Sequence, residues 1–577
     1  MDKQMTARAV LTATGLAAGL GLFALTRMAD AGVLAGRPLL ALAAFVACFF
    51  TALLAMAGPL APARAALGAM GVAVAVTVLL SVAALGFLRV EDVMNSPQVV
   101  LGAIILTLVP LPFWIARHGA GWRDYPTLFG ESWAIVVRVV AAWAFVGLVW
   151  AVILLSDALL KGVGIGLIDR LIDLEVMPWL ITGGVLGLGL AVVQELSDYV
   201  SPYLILRLLR LLLPVVFAVS AVFLLALPLR GVSGLFGVWS FALTLLAMAG
   251  AVATLVTTVV DQDDAQATQS PLLARSAQAT ALMLPLLAAL GAWAVWVRVA
   301  QYGWTPERVF AAQVAALGVG YGVLYAVAVV RGVGWMARVR QANIVMALAL
   351  MALAALSMTP ILSAERLSAR SLMTRLDDGR LPVAELDAAL LARWGKPGAE
   401  ALAALQDRAT APGQKDLARR LALADTPRNG SSRDELLVAV TDLLPLQPAG
   451  ATATRDMYLN ALDTYRLGFL IDSCGRQMPG GGVGCVMVVA DLVPAVPGEE
   501  AILLDYTTGG FVQFTGFHND VALGPVIREV LPANGVLPQY EAGEALIRLW
   551  QTSPPATVPL PVNQLTLPEG GGLILAP

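Results

Sequence analysis

The sequence predicts an all-α transmembrane helical bundle of about eleven spans followed by a soluble α+β C-terminal domain. Three observations carry that prediction. Apolar runs of about 20 residues recur up to Ser363 and stop there. Charged residues make up only 13% of the 577 residues and thicken after that point, where a soluble chain of this length carries roughly twice as much charge throughout. Beyond Leu467 the apolar spacing changes from helical to alternating, the pattern of short strands.

The spans come first in the chain. About 20 apolar residues cross the roughly 30 Å hydrocarbon core as a helix, because a helix satisfies its own backbone where no water is available. Eleven stretches qualify: residues 7–26, 38–57, 67–88, 98–116, 132–155, 178–196, 208–227, 235–260, 276–297, 309–330 and 342–362. Trp114, Trp122, Trp133, Trp150, Trp179, Trp293, Trp296, Trp304 and Trp335 fall near their ends, where amphipathic rings meet headgroups. So many runs of this length argue against buried helices of a large soluble core. Residues 157–176 differ, with Asp157, Lys161, Asp169, Arg170, Asp173 and Glu175 among apolar positions. That segment is expected to lie along the interface, with a break at its "GVGIG". The first run is preceded by Lys3 and Arg8, and "ADA" at 29–31 resembles a signal-peptidase site. Its apolar stretch exceeds the length of a cleaved signal, so an uncleaved first span is expected.

An odd number of spans puts the chain ends on opposite sides. With the N-terminus cytoplasmic, eleven Lys and Arg fall in cytoplasmic loops and eight in outer loops, which favours that orientation. Before Glu365 there are 20 Lys and Arg against 16 Asp and Glu, and from Glu365 on 17 against 24, so the membrane part is +4 and the soluble part −7. An acidic soluble part argues against nucleic acid as a partner. Cys48 lies within a span and reads as a small apolar residue. Cys474 and Cys485 bracket a glycine-rich loop. Zinc needs four Cys or His ligands, and His518 is the only histidine nearby. A disulfide fits a domain outside the cytoplasm, and two free thiols in a cytoplasmic domain are the alternative. Together with the loop charges, the pair favours an outer C-terminal domain.

The soluble region divides from the membrane region at 363/364. It opens with helices, the first capped by Ser363 and closed by Gly379. Further helical patterns follow in "PVAELDAALLARWG", "PGAEALAALQDRA", "QKDLARRLALAD", "SRDELLVAVTDLL" and "RDMYLNALDTYRLG". Strands are expected at "LGFLIDSC", "GCVMVVADL", "EAILLDY" and "GGFVQFTGF", so that the two cysteines would staple a hairpin. A helix at 541–550 precedes an extended, proline-rich tail.

Two segments carry a resemblance. "YGWTPERVFA" at 302–311 and "SARSLMTRLDDGRLPVAELDAALLARWGKPGAEAL" at 368–402 resemble a bacterial polytopic membrane family catalogued as domain of unknown function 4153. The resemblance runs from about the fifth span to about Leu405. It implies a bacterial inner-membrane protein and no particular activity. Read residue by residue, "YGWTPERV" is also a well-made helix start, with Thr305 to cap, Pro306 at the first helical position and Glu307 at the positive dipole end. A docking spot for the soluble region is the sharper reading of the same residues.

Few residues can carry chemistry. Ionisable groups within spans are functional candidates, and Arg138 is expected to pair with Glu195, with snorkelling of Arg138 as the alternative. Asp198 ends the sixth span on the same side as Glu195. "DQDD" at 261–264 reads as a solvated turn. Glu91 and Asp92 form an outward acidic pair, the feature that would suit a membrane enzyme using lipid-linked substrates. No "GxSxG" occurs, and no cofactor is implied. Glycine pairs Gly15/Gly19, Gly183/Gly187 and Gly318/Gly322 permit close helix packing. The expected role is an envelope-associated binding or assembly module, with the lipid bilayer and other envelope proteins as partners. Transport of an apolar or lipidic substrate is the next reading, and a membrane enzyme the third.

Overall fold

The computed structural model describes residues 2–195, 202–230, 239–383, 386–415, 417–418, 421, 433–478, 481–493, 498–507, 511–520, 524–530, 537, 540–557, 564–566 and 572–574. Contacts divide the chain into two compact units, Met1–Asp407 and Arg408–Pro577. The division falls 44 residues beyond the expected 363/364 boundary, so the first soluble helices belong to the membrane unit.

The first unit contains α1 (Asp2–Asp30), α2 (Gly36–Met56), α3 (Pro62–Ala84), α4 (Glu91–Met94), α5 (Pro97–Leu108), α6 (Pro110–Arg117) and α7 (Tyr125–Gly162). It continues with α8 (Leu167–Ile172), α9 (Met177–Glu195), α10 (Pro202–Arg230), α11 (Trp239–Val260), α12 (Pro271–Tyr302), α13 (Pro306–Val330) and α14 (Trp335–Ser357). Among the described residues eleven helical stretches are long and apolar enough to cross a membrane, one for each run expected. Outward-facing Leu, Val and Trp side chains cover this unit, as hydrocarbon requires of a multi-pass membrane protein. The fourth span is broken into α5 and α6 at Val109, because Pro110 and Pro112 lack the N–H groups that would continue the ladder.

The segment at 157–176 breaks at its "GVGIG", as expected. Its first six residues extend α7 to Gly162. The chain then turns through Gly164 (φ +80°) into the short α8. Lys161 bridges Asp157 at 2.9 Å and Asp169 at 2.6 Å, tying the two arms of that turn.

α1 and α9 pack closely through the first two glycine pairs. A Cβ on Gly183 would stand 2.2 Å from the Gly15 carbonyl oxygen, and one on Gly15 would stand 2.1 Å from that of Gly183. Only hydrogen fits there, so the two backbones meet directly. Ion pairs close both ends of this antiparallel pair, Arg8 with Glu195 and Arg27 with Glu175 at 2.5 Å. Gly322 abuts Pro285 within α12, where an added Cβ would lie 2.6 Å from the proline Cα.

Three more helices complete this unit: α15 (Ala364–Asp377), α16 (Ala388–Arg393) and α17 (Gly395–Ala409), the last extending two residues past the division. Ser363 caps α15 by accepting from Arg366 N at 3.3 Å, and Gly379 follows at φ +69°. α15 seats on the turn between α12 and α13. Ser371 Oγ accepts from Trp304 N at 3.0 Å, and Arg375 donates to the Ala300 and Gln301 carbonyls at 3.1 and 2.5 Å. Gln98 Nε2 donates to Pro306 O at 2.7 Å, and buried Glu365 accepts from Ser96 and Ser363. "YGWTPERV" is therefore both a helix start, with Thr305 capping Arg308 N at 3.4 Å, and the seat of α15.

The second unit holds α18 (Arg433–Leu443), β1 (Leu446–Gln447), α19 (Thr452–Leu459), α20 (Thr464–Cys474), β2 (Cys485–Ala490), β3 (Glu500–Tyr506), β4 (Val512–Asp520), β5 (Gly524–Arg528) and α21 (Tyr540–Thr552). A separate pair, β6 (Gln564–Thr566) and β7 (Gly572–Ile574), lies in the tail. The main sheet has order β1-β2-β3-β4-β5, with β1 parallel to β2 and the other pairs antiparallel. One face buries Met487, Val489, Leu503 and Phe517 against α18, α19 and α20. The other buries Val486, Leu504 and Val512 against Ile547 of α21.

One expectation here is overturned. "LGFLIDSC" is helix, not strand: Asp463 caps α20 by accepting from Arg466 N at 2.8 Å, and Leu467, Leu470, Ile471 and Cys474 are buried at helical spacing. The expected single helix over "RDMYLNALDTYRLG" is instead α19 and α20, parted by that cap. Cys474 and Cys485 stand at disulfide-bonding distance, Cα to Cα 4.8 Å, joining a helix end to a strand start rather than two strands of a hairpin. Asp198 and most of "QKDLARRLALAD" lie outside the described residues.

Candidate functional site: a membrane-unit cavity with a polar end

A cavity of about 330 Å³ opens within the first unit, walled by α5, α6, α7, α11, α13 and α14. The break at Val109 turns Leu108, Val109, Pro112 and Phe113 onto one wall. Leu128, Phe129, Ile135, Val136, Ile344 and Ala347 supply most of the rest. Against this apolar lining stand Tyr125, Ser132, Thr257, Tyr321 and Asn343.

Three of these polar groups are joined. Asp124 caps α7 by accepting from Thr127 N at 3.1 Å, which fixes Tyr125 at the first turn. Asn343 Nδ2 donates to Tyr125 OH at 2.7 Å and lies 3.4 Å from Thr257 Oγ1. Tyr325, fully buried, donates to Asn343 Oδ1 and shares a 2.7 Å hydrogen bond with Thr257. Tyr321 meets Tyr325 edge to face at 5.6 Å. A buried polar network of this kind is rigid when every member is satisfied.

Beyond the network, the last turn of α11 is gripped by two arginines. Arg210 Nε donates to Thr258 O at 2.6 Å, and its Nη2 pairs with Asp261. Arg340 donates to Val260 O at 2.8 Å and Asp261 O at 3.1 Å, and pairs with Asp264 at 2.7 Å. These guanidiniums satisfy carbonyls that a helix end leaves open, at the negative end of its dipole. Asp261 is fully buried at φ +52°, a conformation aspartate tolerates better than most residues. The solvated turn expected at 261–264 is thus corrected: Asp261 is buried and pinned, and only Asp264 of the two paired acids is exposed.

The other sequence candidates fall elsewhere. Arg138 and Glu195 do not pair. Arg138 Nη2 reaches Glu131 at 3.3 Å and its Nε donates to Ala134 O at 3.2 Å, both on its own helix, while Glu195 takes Arg8 across the α1–α9 contact. Each acid has a closer cation on the surface it already faces. Glu91 is exposed and Asp92 half-buried in α4, and neither lines this cavity. Asn343 and Tyr325 are the polar residues of this network that sequence reasoning passed over. A carboxamide inside the eleventh span was the available signal, since polar side chains within spans seek partners.

No carboxylate, imidazole, thiol or amine is among the lining residues, and the nearby charges are paired. Such a lining can hold an apolar body and hydrogen-bond a neutral head. The fold and this site define a multi-pass membrane protein with an open, largely apolar cavity among its helices. Comparison with known protein families, curated proteins and solved structures finds no match.

Proposed function

We propose that this chain is a bacterial inner-membrane protein of the kind its resemblance implies, an envelope-associated module that binds a lipid-like molecule with a neutral, hydrogen-bonding head. The observation that carries the reading is the 330 Å³ cavity whose apolar walls end at the Tyr125–Asn343–Thr257 cluster. An alkyl or isoprenoid body is favoured by the aliphatic and aromatic lining, and a hydroxyl or amide head by uncharged partners. The disulfide pair and the loop charges support a C-terminal unit outside the cytoplasm, where it would meet envelope partners.

A photoreactive long-chain alcohol is expected to label the purified protein at α7 or α14. Ala347→Trp, which fills the cavity, should cut labelling at least tenfold without lowering the melting temperature by more than a few degrees. Equal labelling of the two proteins would remove the reading. Transport of such a molecule is the second reading, favoured by the break of the fourth span at Pro110. Uptake of the same alcohol into vesicles carrying the protein separates carriage from binding.

A further inference from the structure

The second unit has a cavity of its own, about 290 Å³, at the edge of the helix-covered sheet face. α20 lies over β2 and β3. Gln513 and Thr515 of β4, the cross-strand partners of Asp505 and Leu503, line the space beside it. Leu462, Phe469, Leu470 and Phe517 make the remainder apolar. Two side chains of opposite charge share this cavity without joining. Asp505 is only 4% exposed and has Ser473 Oγ at 3.5 Å. Burial pushes its carboxyl up to about 6, although Ser473 acts in the other direction. Arg466, exposed in the first turn of α20, lines the same cavity and makes no ion pair with Asp505 among the described residues.

We propose that this cavity binds a small zwitterion with an apolar body, an α-amino acid or a close analogue. Its ammonium group donates to Asp505, its carboxylate pairs with Arg466, and its body packs on Phe469, Leu470, Leu503 and Phe517. A buried carboxylate without a cation is a standing desolvation penalty, and an ammonium partner offsets it. Arginine is the residue suited to a ligand carboxylate, through charge-assisted hydrogen bonds. The volume falls at the lower end for ligand sites and suits one amino acid. This inference is independent of the lipid cavity, which lies in the other unit.

The test is isothermal titration of the full chain in detergent with L-phenylalanine, phenethylamine and hydrocinnamate. L-Phenylalanine should bind saturably, and each single-charge analogue at least fivefold more weakly. Asp505→Asn and Arg466→Gln should each weaken L-phenylalanine at least fivefold. Thr515→Phe, which fills the space from a partly exposed strand position, should abolish binding and serves if Asp505→Asn fails to fold. No saturable binding of L-phenylalanine, an analogue that binds as well as the zwitterion, or a smaller loss in a folded variant overturns the proposal.

Discussion

Asp505 shows how one residue sets a measurable property. Its folded carboxyl titrates near 6, above the ordinary aspartate value of 3.8, because burial disfavours the charge. The folded state therefore binds the extra proton. Stability is reduced above pH 6 and recovers as pH falls from 6 toward 3.8, by up to about 3 kcal/mol. Asp505→Asn should flatten that rise, read by thermal unfolding of the second unit between pH 4 and 7. Arg138 supplies a second test at this scale. Double-mutant cycles should find coupling above about 0.5 kcal/mol between Arg138 and Glu131, and additivity between Arg138 and Glu195. The acids and bases could be counted in the sequence, but their pairing could not. Arg210 and Arg340 sit near span ends like many loop arginines. Their grip on α11 exists only once three helices share one end of the bundle.

At the scale of elements, the eleven spans were legible because hydrocarbon imposes both their length and their composition. Their ends were less so. α7 runs past its expected limit to Gly162 and α14 begins at Trp335, since a helix does not stop where apolarity does. α20 was misread because its eight last residues offer both alternation and helical spacing, and the Asp463 cap decided between them. β1 has two residues and pairs only through its parallel contact with β2, a register that no local pattern encodes. The glycines of α1 and α9 marked helices able to pack closely, though not that these two would meet. Gly183→Ala forces a Cβ to within 2.2 Å of a carbonyl oxygen and should cost about 1–3 kcal/mol. Gly71→Ala, where nothing lies within 4 Å, should stay within about 0.5 kcal/mol. Melting in detergent compares the two.

At the scale of the molecule, the proposed orientation puts the N-terminus inside and the second unit outside, as an odd number of crossings by the eleven candidate helices requires. A reporter fused to Pro577 and active only outside the cytoplasm should be active, and Cys474 and Cys485 should resist alkylation in intact cells until reduced. A silent reporter, or thiols that react at once, would reverse the proposed orientation. Replacing both cysteines by serine should lower the stability of the second unit by about 2–4 kcal/mol, the range for a short closed loop. The contact-defined division lay beyond sequence reasoning. Charge density changes at 363, but α15 docks back onto the α12–α13 turn, and Lys396 N at the start of α17 donates to Gly86 O at 2.8 Å. That docking orders biogenesis. The ribosome makes Ser371 and Arg375 only after every span has been synthesised. The open carbonyls of Ala300 and Gln301 therefore wait for a latch that arrives last, and a nascent chain halted at Ser363 would carry all its membrane crossings with that corner unfastened.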